Sequence, residues 1–378
     1  MPKALVLGTS FTAIPIINRL QRRGFSVTTV GRLPNDEGHR ISDAQIIEDY
    51  SDWTSVMESV TRQTFDVVVP TCNDVSYLSA AYLSQNLGVF FPDKPETVLS
   101  LHTKEEFKEV LNRLNIPTAS RMTEDNITFP AFVKPSDAFS GRGCSIVRSK
   151  HQLENSIEFA KKNSASGSYI IENFIEGTLH SISTFICQEG ATCDHFLVDE
   201  FVSESGFSVV GSIFPSILPP DITSEIIRAQ KKIINDQKLT RGLLHSQFLV
   251  SKGEVFFVET MRRAPGDMFG EQVVLGASID YWNKYIDGFV EDLDSTARTE
   301  IQKIYPVSRN IIGSFKEIFI FQGFQLSSNG PISATDIVFY PLKVSGDRLN
   351  ALPGSKAGVM FVKYENGTAP TLPTVGLL

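Results

Sequence analysis

The chain has 378 residues, with 35 lysines and arginines against 43 aspartates and glutamates, a formal net charge of −8. That length gives room for two or three packed units, and an acidic balance with no dense basic tract excludes nucleic acid as the main partner. No run approaches the roughly 18 apolar residues needed to cross a bilayer, and Met1-Pro2-Lys3 leads straight into an apolar strand without a cleavable leader. A cytoplasmic location without membrane contact is expected. The cysteines, Cys72, Cys144, Cys187 and Cys193, stand at no CxxC or metal-finger spacing and read as reduced thiols.

In chain order, a strand at 3–8, a helix at 12–23 and a strand at 25–30 open a doubly wound α/β unit. A helix at 54–61, a wholly apolar strand at 65–70 and a helix at 76–86 continue it. The turn Gly8-Thr9-Ser10 lacks the later glycines of a dinucleotide fingerprint and reads as scaffold or substrate contact. A helix at 104–114 ends at Asn115-Ile116-Pro117, and strands at 131–134, 144–147 and 169–174 follow, with a helix at 152–162. Short strands rich in aromatic and β-branched residues come next at 182–187, 195–202 and 208–213. A helix at 223–237 then precedes a hairpin, 242–250 with 254–261, closed at Ser251-Lys252-Gly253. Strands at 311–320, 337–343 and 358–364 finish the chain.

Three stretches carry chemistry. Ala131-Phe132-Val133-Lys134-Pro135 sets a lysine at the end of an apolar strand, and Ser140-Gly141-Arg142-Gly143 supplies a turn whose N–H groups suit phosphate. Ile170-Ile171-Glu172-Asn173-Phe174-Ile175-Glu176-Gly177 is a strand running into a glycine turn, where Phe174 and Ile175 can sandwich a flat ring. In the hairpin, period-two alternation puts Glu259, Met261 and Arg263 on one face with Gln247 opposite Glu259. A carboxylate in so apolar a run is costly unless it meets a cation. Magnesium would satisfy Glu259, and Arg263 would neutralise a transferred phosphoryl group.

The order of these stretches resembles the ATP-grasp superfamily, especially its carboxylate-amine ligases. The resemblance runs from Lys3 to about residue 290 and implies an α/β fold in three parts. These are an N-terminal doubly wound parallel-sheet domain at 1–92, a central α+β ATP-grasp domain at 93–298 with a lid at about 120–176, and a β-rich C-terminal lobe at 299–378. It implies that Lys104 and Lys134 hold the α- and β-phosphates, that Ser140 to Gly143 cover them, and that Glu172 and Ile175 read adenine. Glu259 would bind magnesium, and Arg263 would contact the γ-phosphate and an acyl phosphate. Three positions depart from the pattern. Leu179 stands where many relatives carry a ribose-binding glutamate, followed by His180-Ser181, which still fit. Gln247 replaces an acidic metal ligand, and Met261 replaces an asparagine. One magnesium ion is expected, with Asp267 as a substitute ligand.

These residues point to a ligase that uses ATP to activate a small carboxylate as an acyl phosphate and joins it to an amine, amino acids being candidate substrates and a homodimer a candidate assembly. Arg262, Arg309 and Asp267 are the candidate substrate contacts. The rival readings are a carboxylase using bicarbonate and a nucleotide-binding protein without turnover.

Overall fold

A computed structural model describes residues 1–138, 141–187, 190–203, 207–290, 303–313, 324–327, 334–342, 356–365 and 374–377. The N-terminal unit alternates β1 (Lys3–Leu7), α1 (Ile14–Arg22), β2 (Ser26–Val30), α2 (Glu37–Ile41), β3 (Ala44–Ile46), α3 (Trp53–Val60), β4 (Val67–Pro70) and α4 (Asp74–Leu87). Its parallel sheet has the order β3-β2-β1-β4. Strands β1 and β4 are apolar on both faces because helices cover both, and Ala4 to Leu7 and Val67 to Val69 are all buried. The order reverses between β1 and β4, so the loops at Gly8–Ser10 and Thr71–Asp74 open on one side, where ligands of such sheets bind. Gly8 is required there. Its φ is 110°, and a Cβ would lie 2.0 Å from Thr71 Oγ1.

Two helices, α5 (Pro95–His102) and α6 (Lys104–Arg113), lead to a four-stranded antiparallel sheet. It contains β5 (Arg121–Met122), β6 (Ala131–Pro135), β7 (Ser145–Val147) and β8 (Tyr169–Asn173), in the order β5-β8-β6-β7. Helix α7 (Lys150–Lys162) packs Leu153, Ile157 and Ala160 on Ala131, Val133 and Ile171. Alternation therefore turns Phe132, Lys134 and Glu172 to the opposite face.

The larger sheet has the order β13-β12-β9-β10-β11-β14-β17-β16. Its strands are β9 (Thr178–Ile186), β10 (Thr192–Val202), β11 (Val209–Phe214), β12 (Gly242–Ser251), β13 (Glu254–Met261), β14 (Val307–Gly313), β16 (Ala334–Pro341) and β17 (Lys356–Tyr364). A small pair, β15 (Phe324–Ser327) with β18 (Thr374–Leu377), stands apart, and the C-terminal strands β14, β16 and β17 extend the central sheet itself. Helix α8 (Pro220–Asp236) covers one face through Ile226 and Ile233. On the other, α9 (Phe269–Ala277) and α10 (Tyr281–Asp287) bury Phe269, Tyr281 and Trp282 against Phe185 and Phe196. Among the described residues no helix is long and apolar enough to cross a membrane.

The expected strands and helices recur within a few residues, but α2, β3, α5, β5, α9, α10, β15 and β18 go beyond the sequence reading. The first C-terminal strand lies at Val307–Gly313, earlier than expected, and residues 314–320 are outside the described set. The cysteine reading is corrected. The β9–β10 hairpin brings Cys187 and Cys193 to a Cα separation of 6.0 Å, joined as a disulfide, while Cys72 and Cys144 remain thiols.

A second correction concerns Arg262, expected at the substrate. It is fully buried and its guanidinium is spent. Nε donates to Asp93 Oδ2 at 2.7 Å, Nη1 to the Leu243 carbonyl at 2.8 Å, and Nη2 to the Arg241 carbonyl at 2.9 Å. Asp93 also accepts from the Tyr77 hydroxyl at 2.6 Å. Arg262 is a strut between the hairpin and the N-terminal half. Because removing one member of a buried pair leaves the other charge stranded, Arg262→Met should lower unfolding free energy by about 3–5 kcal/mol in urea titration.

Two buried histidines adjoin this core. The Arg262 backbone N–H donates to His102 Nε2 at 3.0 Å, and His245 Nδ1 lies 2.9 Å from Ser183 Oγ. Burial lowers the His102 pKa to about 4 and that of His245 to about 3, from 6.5. Below pH 6.5 the unfolded chain takes up protons that the folded chain refuses, so stability is present above that pH and falls as the pH drops toward 4. Each histidine should contribute a slope of about 1.4 kcal/mol per pH unit in that window. Urea midpoints at pH 7.5 and 5.0 should therefore converge in His102→Gln relative to the wild type.

Candidate active site

The site is a cleft between the β6–β8 sheet and the β12–β13 hairpin, closed at one end by the N-terminal loops. Three lysines come from α6 and β6. Lys104 opens α6 and its Nζ donates to the carbonyls of Ala138 at 2.7 Å and Pro135 at 3.3 Å. Lys134 pairs with Glu172 Oε2 at 2.7 Å, and Lys108, one helical turn after Lys104, takes Glu172 Oε1. Burial alone would raise the Glu172 carboxyl, but Lys134 and Lys108 hold it below its ordinary value. Burial, then Lys134, lowers the Lys104 amine.

Gly141 and Gly143 take φ values of 70° and 74°, and a Cβ on Gly141 would lie 2.3 Å from Phe207. The turn thus lies directly on the β10–β11 connection, with Arg142 exposed beside it; Ser140 lies outside the described residues. Phe174 and Ile175, half-buried, follow β8 where the chain crosses to β9.

From the opposite side comes the hairpin, closed by Lys252 and Gly253, both at positive φ. Gln247 pairs with Glu259, but the next pair is Phe248 with Phe257, so Val258 is an extra residue. This bulge separates what strict alternation would join: Phe257 enters the core beside α8 while Glu259 faces the cleft. Burial and Asp74 raise the Glu259 carboxyl, against the pull of Arg263, Lys104 and Lys134. Arg263 grips Asp74 with both arms, at 2.7 and 3.1 Å, and Asp74 heads α4 after the β4 loop. Met261 is buried opposite His245 and offers no oxygen.

Farther along the same face stand Glu200, Asp267 and Arg309. Glu200 accepts from Ser181 Oγ and from Gln247 Nε2, the latter at 3.2 Å. Burial, aided by Asp267 and Glu259, pushes its carboxyl up to about 7. Arg309 on β14 is fully buried. Nη1 lies 2.8 Å from Asp267 Oδ1, yet none of its three guanidinium nitrogens has a hydrogen-bond partner in good geometry. Such a group is costly without an anion.

His180 is a correction. Successive β9 residues face opposite ways, and Ser181 turns to Glu200 while His180 stacks on Phe248 on the α8 side. Its Nδ1 lies 2.8 Å from Asp199 Oδ1 and its Nε2 2.7 Å from Thr178 Oγ1, away from the cleft. The Glu172 side chain is held by two lysines, Lys134 and Lys108.

The donor set suits a hard cation: the Glu259 carboxylate and the Gln247 amide share a face of the hairpin and offer oxygen donors. Among the described residues no three acidic, histidine or cysteine side chains converge to hold a metal alone. A cation here would complete its shell with phosphate oxygens, the usual arrangement for magnesium. Two surface hollows, one beside Arg241, Lys284 and Asp287 and one beside Gln85, Phe91 and Lys94, contain none of the candidate residues. The chemistry belongs where the opposed charges converge.

Lys108 and Glu200 escaped the sequence reading. Lys108 had a signal, its place four residues after Lys104, whereas Glu200 is brought in by strand pairing.

Residues 127–271 match the model of the ATP-grasp domain. The C-terminal section of the carbamoyl phosphate synthase large chain from Methanocaldococcus jannaschii is 29% identical over 203 residues, covering 50% of this chain and only 32% of that protein. A formate-dependent phosphoribosylglycinamide formyltransferase from Prochlorococcus marinus is 23% identical over 379 residues, 96% of this chain and 94% of the relative. Among solved structures, the L-amino acid ligase from Bacillus licheniformis superposes with a TM-score of 0.78 at 15% identity, over 97% of this chain and 94% of that one. The chain carries an ATP-grasp domain at residues 127–271.

Proposed function

We propose that the cleft joins a carboxylate to an amine at the expense of ATP, through an acyl phosphate. The observation that carries this reading is the electrostatic company of Glu259, which lies among Arg263, Lys104 and Lys134 at the meeting of lid and hairpin. Anionic phosphates and a metal-binding carboxylate need such a mixture of charges; a purely structural ion pair does not. The named activities of the similar proteins, a formyltransferase using formate and a ligase of amino acids, are consistent with it.

Lys104 and Lys134 hold the triphosphate, and the turn at 141–143 closes over it with its backbone N–H groups. A magnesium ion on Glu259 and Gln247, when bound, would neutralise phosphate oxygens and align the γ-phosphoryl group. Arg309 receives the substrate carboxylate, whose charge satisfies the guanidinium. A carboxylate oxygen attacks the γ-phosphorus and ADP leaves; the amine nitrogen then attacks the acyl carbon and phosphate leaves. Arg263, fixed by Asp74, faces the charge that develops on the transferred group. Loops 8–10 and 71–74 contact the rest of the substrate.

The test is phosphate and ADP release against pairwise panels of small carboxylates, amino acids and amines. Turnover should require both an acid and an amine, and Glu259→Gln should lower it on the order of 100-fold. An equally active Glu259→Gln removes the site assignment, and tight ATP binding with no ADP formed across the panel removes the ligase reading. In the same assay Arg309→Met should raise KM for the acid about 10- to 100-fold with a smaller effect on KM for ATP.

A further inference from the structure

A glutamine at position 247 leaves the cation site one negative charge short, and an amide can turn either its oxygen or its nitrogen to a metal. The sheet answers both points. Gln247 pairs across the hairpin with Glu259 and, on its other side, with Ser181 of β9. Glu200 sits one strand farther, on β10 opposite Leu179, and reaches over β9 past the small Ser181 side chain. Both of its oxygens are engaged: Oε1 accepts from Ser181 Oγ and Oε2 from Gln247 Nε2 at 3.2 Å. The amide gives Glu200 its NH2 end, which turns the carbonyl oxygen toward the face shared with Glu259. Three other charged groups act on Glu200: Asp267 and Glu259 disfavour its charge and Arg309 favours it.

We propose that Glu200 is a positioning residue for the cation site, fixing the Gln247 amide oxygen toward Glu259 and supplying, from behind the ligands, the negative charge that Gln247 lacks. This rests on the reading that Glu259 and Gln247 hold the cation. Glu200 is not a ligand itself, because Ser181 and Gln247 occupy its oxygens. The arrangement explains how a neutral ligand is tolerated: total charge and ligand orientation set the affinity of such sites, and partners behind the ligands are commonly worth 10- to 100-fold in metal binding.

The experiment titrates the full chain with Mn2+ in the presence of a non-hydrolysable ATP analogue, reading free Mn2+ by electron paramagnetic resonance, so that turnover is not needed. Glu200→Gln should weaken Mn2+ binding about 10-fold or more while leaving the metal-free Tm near that of wild type. The paired change Glu200→Gln with Gln247→Glu exchanges carboxylate and amide across the same hydrogen bond and restores the site's charge. Measured beside Gln247→Glu alone, it should recover more affinity than the two single effects sum to, a coupling that independent sites would not show. If Glu200→Gln binds Mn2+ as tightly as wild type while Glu259→Gln does not, the proposal is overturned and the metal assignment stands. A paired variant no better than the single one also overturns it. If Glu259→Gln retains Mn2+ as well, the metal assignment fails and takes this proposal with it.

Discussion

Two adjacent arginines at the end of β13 decide how this molecule holds together. Consecutive residues of an extended chain point opposite ways, so Arg262 goes into the core, to Asp93 and three carbonyls, while Arg263 goes to the cleft and to Asp74. Asp93 precedes α5 and Asp74 begins α4. One dipeptide therefore ties the hairpin to the N-terminal half at two points, one dry and one at the rim of the site. The dry tie makes rigid what the other must position: Arg263 is held by partners on separate elements, the condition for aiming a charge with little reorganisation.

Around that anchor the charges are sorted by element. Lysines come from α6 and β6, and carboxylates from β10, β13 and the loop after β13. Glu172 neutralises Lys108 and Lys134 together, so a nucleotide entering the cleft meets lysines already paired within the protein and must compete for them. Phosphate has the advantage of several charged oxygens where the glutamate has two. At the other end Asp267 supplies an opposite charge 2.8 Å from Arg309 Nη1, yet among the described residues no well-aligned hydrogen bond reaches the guanidinium. The lysines are paired through a carboxylate with two hydrogen bonds, whereas the arginine has an ion pair without matching hydrogen bonds.

Much of this was legible beforehand, for identifiable reasons. The parallel sheet announced itself through strands apolar on both faces, and the hairpin through alternation and a Lys-Gly turn; the facing of Gln247 and Glu259 followed from their register. What misled was the assumption that a polar residue in a motif faces the motif's site. His180 and Arg262 each sit one residue from a cleft-facing neighbour, and one residue in a strand is the whole difference between the two faces. The bulge at Val258 was equally invisible, because an extra residue changes no composition and shifts only the pairing.

By itself the sequence determined the identity and order of the parts: the lysines, the glycine turn, the hairpin carboxylate and the α/β alternation. These are local, since periodicity and turn chemistry are properties of neighbouring residues. Only the tertiary structure decided which charges meet. Glu200 and Gln247 are 47 residues apart, Arg263 and Asp74 189 apart, and Lys108 and Glu172 64 apart. Contacts of that separation are set by how sheets pair and domains close, not by any pattern in a short stretch of chain.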